Sequence, residues 1–264
     1  GNVWRFPYLT YKYGGGAFLI PYLIALLVLG IPLLIMEFAI GQRLQKGAVE
    51  AFKGVHSKLG GIGFAAVFSG FVVVVYYSAV MAWSLVYLIK SFAFKLPWAE
   101  NAEGFFYNNV LNISDGIGNI GGFSWMLFFA LLAVWVMVYF CVWKGTKSVG
   151  KVVMITMPLP IILLIVLFIR GVTLPGALTG IMYYIKPNFG ALLDTEVWLA
   201  AVSQIFFTLS LAFGIMIAYA SYNKETSDIT KNSYLTAITN SGISLFAGFV
   251  VFSVLGYMAH AQGV

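Results

Sequence analysis

Long apolar runs are the main feature of the hydropathy pattern along this chain. A helix needs about 20 apolar residues to cross the hydrocarbon core of a bilayer. Runs near or above that length occupy residues 17–41, 62–90, 124–142, 151–170, 197–222 and 233–259. The run at 1–12 is too short to cross alone, and apolar and polar residues rarely alternate with a period of two, which argues against a membrane β-barrel. The pattern predicts an all-α polytopic membrane protein.

The composition agrees with that class, since 61% of the residues are hydrophobic and 9% are charged. The chain begins without Met and on an apparent half of a span, so we expect a fragment of a longer protein. A signal peptide of the parent would not be visible in such a fragment. We therefore treat residues 1–264 as one partial transmembrane domain.

Basic residues concentrate in three loops. Residues 42–61, 143–151 and 223–232 hold nine Lys and Arg, Lys147 among them, against three acids, whereas the intervening segments, which include Asp115, are balanced. Lys and Arg in short loops stay on the cytoplasmic side, so these loops are expected inside, with the last span leading outward. This topology explains the formal net charge of +6, and binding of nucleic acid is not expected.

Residue types that carry out catalysis are sparse. His56 and His260 lie in a loop and near the end of the last apolar run, and the sequence has neither an HExxH motif nor a Ser/His pair within a span. Cys141 is the single cysteine, so the chain contains no internal disulfide or thiolate metal site. We therefore do not expect an enzyme.

Glu37 is the only acid well inside an apolar run. An ionisable side chain is costly in hydrocarbon, and it usually faces the interior of the helix bundle and marks a pathway or an interhelical contact. Two interpretations stay open for Glu37, namely a hydrogen-bonding strut between helices and direct participation in ion coupling. Both place its side chain inside the bundle.

Two other runs carry polar stripes. Gln204 and Thr208 are one helical turn apart, and Asn240 and Ser244 repeat that spacing on a different helix. Amide and hydroxyl oxygens are hard neutral ligands that suit an alkali cation, while amide N–H and hydroxyl protons can bind a halide. The residues alone do not decide between the two ions.

Several motifs, taken together, resemble one known family. They read Gly1-Asn-Val-Trp-Arg-Phe-Pro-Tyr8, Gly14-Gly-Gly-Ala-Phe18, Gly41-Gln-Arg43, Tyr76-Tyr77, Gln204-Ile-Phe-Phe-Thr-Leu-Ser210 and Ala220-Ser-Tyr-Asn223. Through them the chain resembles, over essentially its whole length, the neurotransmitter:sodium symporter family of bacterial amino-acid transporters and animal transporters for amines, GABA and glycine. Tyr13 departs from the Asn that this family usually has before the triple glycine, at a turn and not at the site.

The resemblance implies an inverted-repeat transporter fold of about twelve helices, in which helices one and six are broken near the middle of the membrane. In this chain helix one would break at Gly1 and helix six between Leu209 and Gly214. The chain would then cover the outer half of helix one through helix seven. Residues 1–172 would form most of the first repeat, and residues 196–264 the start of the second.

The resemblance also implies roles for individual residues. Sodium ligation falls to Asn2, Thr208 and Asn240. Substrate binding falls to Gly1, Val73, Tyr77, Phe207, Ser210 and Phe213, with the Tyr77 hydroxyl on a carboxylate and Phe207 as an aromatic lid. A chloride site would be built by Tyr22, Gln204, Thr208, Asn240 and Ser244. Arg5 would serve the outer gate and Tyr222 the inner gate, while Glu37 and Gln204 would support the broken segments.

Substrate and source follow from smaller features. The segment Ser210-Leu-Ala-Phe-Gly214 resembles amino-acid-carrying members and not the Gly-Pro-Gly of amine carriers. A pocket with Val73 and two Phe rings favours a neutral, apolar side chain. The outer loop 95–123 lacks the cysteine pair of animal members, which favours a prokaryotic source.

We therefore expect sodium-coupled symport of a neutral amino acid across the plasma membrane by a multi-pass protein whose partners are that substrate and the lipid bilayer. Chloride dependence is expected from Ser244, where many bacterial members carry a carboxylate. A non-transporting sensor of the same fold and a carrier of an amine or other small zwitterion remain alternatives. A channel is disfavoured because an aromatic-capped pocket is not a continuous polar pore. The oligomeric state is left open.

Overall fold

The computed structural model describes residues 1–114, 116, 118, 119 and 121–263, with the backbone alone for residues 146 and 147. Asp115 and the side chain of Lys147, which enter the charge pattern, lie outside that part. The main helices are α1 (Arg5–Lys12), α2 (Gly16–Leu44), α3 (Ala48–Val55), α4 (Gly60–Lys90), α5 (Trp125–Val142), α6 (Thr146–Thr156), α7 (Pro158–Val172), α8 (Ala177–Ile185), α9 (Thr195–Thr208), α10 (Ile215–Ala220) and α11 (Ile229–Gln262). The described ranges contain no β-strand, as predicted.

Five helical segments are long and apolar enough to cross a membrane within the described part of the chain. They are Gly16–Leu44, Ser57–Lys90, Trp125–Val142, Ser148–Val172 and Ile229–Gln262. The first contains a π-helical turn at Leu26–Gly30, just before Pro32. Proline lacks an N–H and removes one i→i−4 hydrogen bond, so a local change of helix type accommodates it.

Residues 1–70 and the stretch from Met157 onward form one compact unit. Its core is aromatic at the centre, where Phe6, Phe18, Tyr22, Tyr184 and Phe252 are almost fully buried. Helix α11 packs against α2, α7 and α8, and α2 also contacts α9 and α10. Both halves of the broken sixth helix are thereby held against α2.

One close approach fixes α10 on α2. A Cβ built on Gly41 would collide with the carbonyl oxygen of Ile217 and lie 2.9 Å from the side chain of Ala220. Only glycine permits this separation, because even one methyl group would push the two helices apart. The inner half of the sixth helix therefore rests directly on the end of α2.

The predicted run 197–222 forms two helices and not a continuous span. Between α9 and α10, Ser210, Ala212 and Gly214 have φ of 56°, 64° and 69°. These left-handed conformations cost energy for Ser and Ala and persist only where surrounding contacts impose them. The helix breaks within the segment that the resemblance implied, Leu209 to Gly214.

Residues 71–156 form the second compact unit. It contains most of α4, the helical segments Ala102–Gly104 and Phe105–Leu111, α5 and α6. Its core joins Ala82 and Val86 of α4 to Phe105, and to Ala130 and Val134 of α5.

Candidate ion and substrate site

Three polar side chains from three separate parts of the chain form a closed ring of hydrogen bonds. The amide of Asn2 donates to Oδ1 of Asn240 at 3.0 Å, and the amide of Asn240 donates to Oγ1 of Thr208 at 3.0 Å. The Thr208 hydroxyl completes the ring by donating to Oδ1 of Asn2 at 2.6 Å. Asn2 lies just before α1, Thr208 ends α9, and Asn240 lies within α11. The ring joins the start of α1 to the break in the sixth helix.

The donor set of this ring fits a sodium ion. Each of its three side chains contributes one neutral oxygen, and hard neutral oxygens are the ligands that an alkali cation takes. In the ring, each of these oxygens accepts a hydrogen bond from a neighbouring member. The residues assigned to sodium by resemblance, Asn2, Thr208 and Asn240, therefore lie together, and their role as ligands stays a prediction.

A second polar cluster is completely buried between α2 and α11. The hydroxyl of Tyr22 donates to Oγ of Ser241 at 3.1 Å and also lies against Ser244. Ser244 donates to the backbone oxygen of Asn240 at 3.3 Å. Tyr22 and Ser244 are fully buried and Ser241 is 3% exposed. Three buried hydroxyl groups thus lie together next to the ring of Asn2, Thr208 and Asn240.

These hydroxyl groups suit an anion in their chemistry. Each is an O–H donor, and the cluster contains no carboxylate that would repel a halide. Members of the predicted chloride site that the structure brings together here are Tyr22, Ser244 and, through the backbone, Asn240. Binding of chloride at this cluster stays a prediction.

Gln204 lies toward Arg5 and the start of the chain. Its Oε1 accepts from Nη1 of Arg5 at 2.6 Å, and its amide nitrogen donates to the backbone oxygen of Gly1 at 3.4 Å. Arg5 also donates to Oγ of Ser203 at 3.0 Å, and its guanidinium lies 5.1 Å from the centroid of the Phe207 ring. These contacts fasten α1 to α9. Both the oxygen and the nitrogen of the Gln204 amide take part in these contacts. The role of Gln204 in a chloride site stays a prediction.

Glu37 holds the break in the sixth helix. Its side chain is 4% exposed, and Oε1 accepts from the backbone N–H of Ala212 at 2.7 Å. Ala212 is one of the residues in left-handed conformation, so the carboxylate stabilises a strained backbone segment. This contact agrees with the strut interpretation. The other oxygen, Oε2, is buried without a hydrogen-bond partner among the described residues.

The predicted substrate residues fall into two groups. Gly1 precedes α1, and Phe207, Ser210 and Phe213 lie at the break in the sixth helix, all within the first unit. A Cβ built on Gly1 would lie 3.7 Å from the Phe207 ring. Val73 and Tyr77 belong to the second unit, where they lie on successive turns of α4. Their approach to substrate stays a prediction.

Tyr222 follows α10 and is 70% exposed. The loop that begins there is held by the end of α2 and the residue after it. Gln42 donates to the backbone oxygens of Glu225 at 3.1 Å and Ser227 at 2.8 Å, and Gln45, just past α2, donates to that of Asn223 at 2.9 Å. The amide of Gln42 was not assigned a role by the sequence, although it lies in the Gly41-Gln-Arg43 motif.

Sequence reasoning also missed Ser241 and the contact of Ser203 with Arg5. Ser241 carries a signal, because it is a hydroxyl in a span directly after Asn240. Its partner on α2 is 219 positions away in sequence, and no periodicity within α11 reveals it.

The comparisons with known proteins identify the family. The model of the sodium:neurotransmitter symporter family matches residues 1–103 and 99–264. Since these matches cover the whole chain, the protein belongs to the sodium:neurotransmitter symporter family. It is accordingly a multi-pass membrane protein of a transporter family.

Curated relatives share more than two fifths of their residues with this chain. The sodium- and chloride-dependent GABA transporter 2 of Bos taurus is 44% identical over 293 residues, covering 100% of this chain and 49% of that protein. An uncharacterized sodium-dependent transporter of Methanocaldococcus jannaschii is 47% identical over 265 residues, with 100% and 54% covered. The human sodium- and chloride-dependent creatine transporter 1 is 42% identical over 301 residues, with 100% and 47% covered. The chain spans about half the length of these relatives.

A solved structure has the same fold. The crystal structure of MhsT in complex with L-phenylalanine matches with a TM-score of 0.85 at 33% identity, covering 100% of this chain and 57% of that one. The all-α transporter fold expected from the sequence is thus confirmed.

Proposed function

We propose that the full-length protein is a sodium-coupled symporter of a neutral amino acid and that chloride supports its transport. The observation that carries the proposal is the ring of Asn2, Thr208 and Asn240. It joins the residues before α1 to the break in the sixth helix through three neutral oxygens, so an ion bound there would stabilise one arrangement of those segments.

Sodium would be held by Oδ1 of Asn2, Oγ1 of Thr208 and Oδ1 of Asn240. A bound sodium supplies positive charge that favours a substrate carboxylate at the same break. The chain's own residues hold this region in place: Glu37 anchors Ala212, and Arg5 fastens α1 to α9 through Gln204. Coupling then follows because sodium and substrate stabilise the same closed arrangement, and such linkage is reciprocal.

The case for chloride is an argument from charge. A cation buried among neutral ligands is costly without a negative charge nearby, and the hydroxyl cluster beside the ring contains no carboxylate. The relatives named sodium- and chloride-dependent support the same conclusion. Tyr22 and Ser244 would hold the anion, with Asn240 and Thr208 shared between the two ion sites.

An amino-acid substrate is favoured by the apolar side chains predicted to line the substrate pocket, Val73, Phe207 and Phe213. It is also favoured by the similarity to MhsT, whose structure contains L-phenylalanine. The substrate roles of Val73 and Tyr77 come from the family resemblance. Tyr77 would offer its hydroxyl to the carboxylate, and Val73 would contact the substrate side chain.

Because some relatives are named for GABA and creatine, another small zwitterion is the alternative substrate. The discriminating experiment is equilibrium binding to the purified full-length protein across the neutral amino acids, GABA and creatine, in sodium and in choline. The proposal expects sodium-dependent binding of a neutral amino acid. Sodium-independent binding throughout the panel would contradict it, and binding without uptake in vesicles would indicate a sensor.

A further inference from the structure

Ser241 is a buried hydroxyl beside the proposed chloride site, and neither the motifs nor the family resemblance assigned it a role. It accepts the proton of Tyr22 at 3.1 Å. We propose that Ser241 determines how strongly the protein depends on chloride, because it competes with the halide for the proton of Tyr22. This inference rests on the proposed chloride dependence.

The ring of Tyr22 is fixed by its neighbours. Its centroid lies 4.9 Å from that of Phe6 in an edge arrangement and 6.4 Å from that of Phe18. All three rings are fully buried, and close-packed interiors leave such rings little room to move. The hydroxyl of Tyr22 can therefore choose its acceptor only by rotating its proton about the C–O bond.

The proton of Tyr22 has two destinations in this site. One is Oγ of Ser241, as observed. The other is an anion held with Ser244, whose hydroxyl lies against that of Tyr22. When Tyr22 turns its proton to an anion, it gives up its hydrogen bond to Oγ of Ser241. The oxygen atoms can remain in place, because only the proton changes its acceptor.

Ser241 therefore weakens anion binding, because it offers the Tyr22 hydroxyl another acceptor. With Ser241 present, the buried Tyr22 hydroxyl has an acceptor whether or not a halide is bound. Ser241→Ala removes that acceptor, and loss of a hydrogen-bond partner is costly for a buried donor. Of the two serine hydroxyls beside Tyr22, only Ser244 would then remain, and Ser244 is itself a proposed ligand of the anion, so the anion-bound form gains relative to the anion-free form.

The test is a chloride titration of thermal stability with the purified full-length protein. Sodium and substrate are held constant, and gluconate replaces chloride at constant ionic strength. The chloride concentration that gives half of the maximal rise in unfolding temperature should fall about fivefold or more in Ser241→Ala. An unchanged or increased concentration would overturn the inference.

Ser253→Ala is the matched control. Ser253 is another fully buried serine of α11, and its hydroxyl donates to the backbone oxygen of Val250 at 2.8 Å, away from Tyr22. Its removal should leave the chloride titration within about twofold of the parent, because the relevant acceptor is retained. A fivefold fall in this control as well would show that loss of any buried hydroxyl produces the shift, and it would defeat the assignment to Ser241.

Two further variants keep the test decisive. Ser241→Cys keeps an unbranched side chain that ends in a weaker acceptor. It should shift the titration in the same direction by a smaller factor, even if the alanine variant does not fold. In a Tyr22→Phe background, Ser241→Ala should cause no further shift, and a persistent shift would contradict competition for that proton.

If the parent itself shows no chloride effect, the proposed chloride dependence fails. If the parent responds and Ser241→Ala matches Ser253→Ala, only the inference about Ser241 fails.

Discussion

Thr208→Val tests the three-residue ring with minimal change of shape. Valine keeps the branched side chain and removes only the hydroxyl, which donates to Asn2 at 2.6 Å and accepts from Asn240 at 3.0 Å. The variant therefore breaks two of the three side-chain hydrogen bonds that close the ring. It also removes one of the oxygens proposed to hold sodium.

The size of the effect follows from the oxygen ligand that a bound sodium would lose. Loss of a partner costs about 1–3 kcal/mol for a buried polar group, and the half-buried positions of Asn2 and Asn240 place the cost near the lower end of that range. A loss of about 1.5 kcal/mol in sodium binding corresponds to roughly a tenfold change. We therefore expect the sodium concentration for half-maximal substrate binding to rise about tenfold or more.

The assay is equilibrium binding of labelled substrate to the full-length protein, titrated with sodium at constant ionic strength. Thr208→Ser is the control, because it keeps the hydroxyl, and it should stay within about threefold of the parent. Apparent affinity for substrate should weaken in parallel at subsaturating sodium, since the linkage is reciprocal. A folded Thr208→Val protein with the sodium dependence of the parent would refute the role of the ring.

Three other variants extend the account to the neighbouring contacts. Tyr77→Phe should weaken substrate binding by about 1–3 kcal/mol while folding is preserved, because one hydroxyl to a charged acceptor is lost; unchanged affinity in a binding assay would remove Tyr77 from the carboxylate contact. Ser244→Glu should make uptake largely independent of chloride by placing a permanent negative charge beside the sodium site, and uptake that still falls in gluconate would count against that explanation. Glu37→Ala should lower the unfolding temperature more than Glu37→Gln, which keeps an acceptor for the backbone N–H of Ala212; equal losses would show that the charge and not the hydrogen bond matters.

Hydropathy predicted the spans well because burial in lipid imposes a simple length requirement on each helix. The predicted runs 62–90 and 124–142 correspond closely to Gly60–Lys90 and Trp125–Val142. Ends set by polar contacts were missed. Helix α11 begins at Ile229, before the apolar run starts, because Oδ1 of Asp228 accepts from the backbone N–H of Lys231 at 2.9 Å and caps it.

The break in the sixth helix illustrates a different limit. Composition alone gives a continuous apolar run at 197–222, and Gly214 is the one residue there whose left-handed conformation sequence chemistry anticipates. Ser210 and Ala212 adopt such conformations because distant contacts impose them, including the bond from Ala212 to Glu37. The break was predicted from the family resemblance and not from helix propensity.

Contacts between distant helices account for what the sequence did not reveal in the site. The stripes of Gln204 with Thr208 and of Asn240 with Ser244 follow from helical spacing within each run. Helical spacing does not determine which neighbour each stripe faces. The partner of Tyr22 is therefore visible only in the structure, and so is the engagement of Gln204 by Arg5.

Under the proposed function, a sodium gradient drives accumulation of an amino acid by the full-length protein. Uptake can be measured in proteoliposomes with sodium chloride outside and potassium gluconate inside, using the amino acid that binds best in the equilibrium panel. We expect accumulation above the external concentration, loss of that accumulation when an ionophore collapses the sodium gradient, and slower uptake when gluconate replaces external chloride. Binding without accumulation, or equal uptake with and without the sodium gradient, would contradict it.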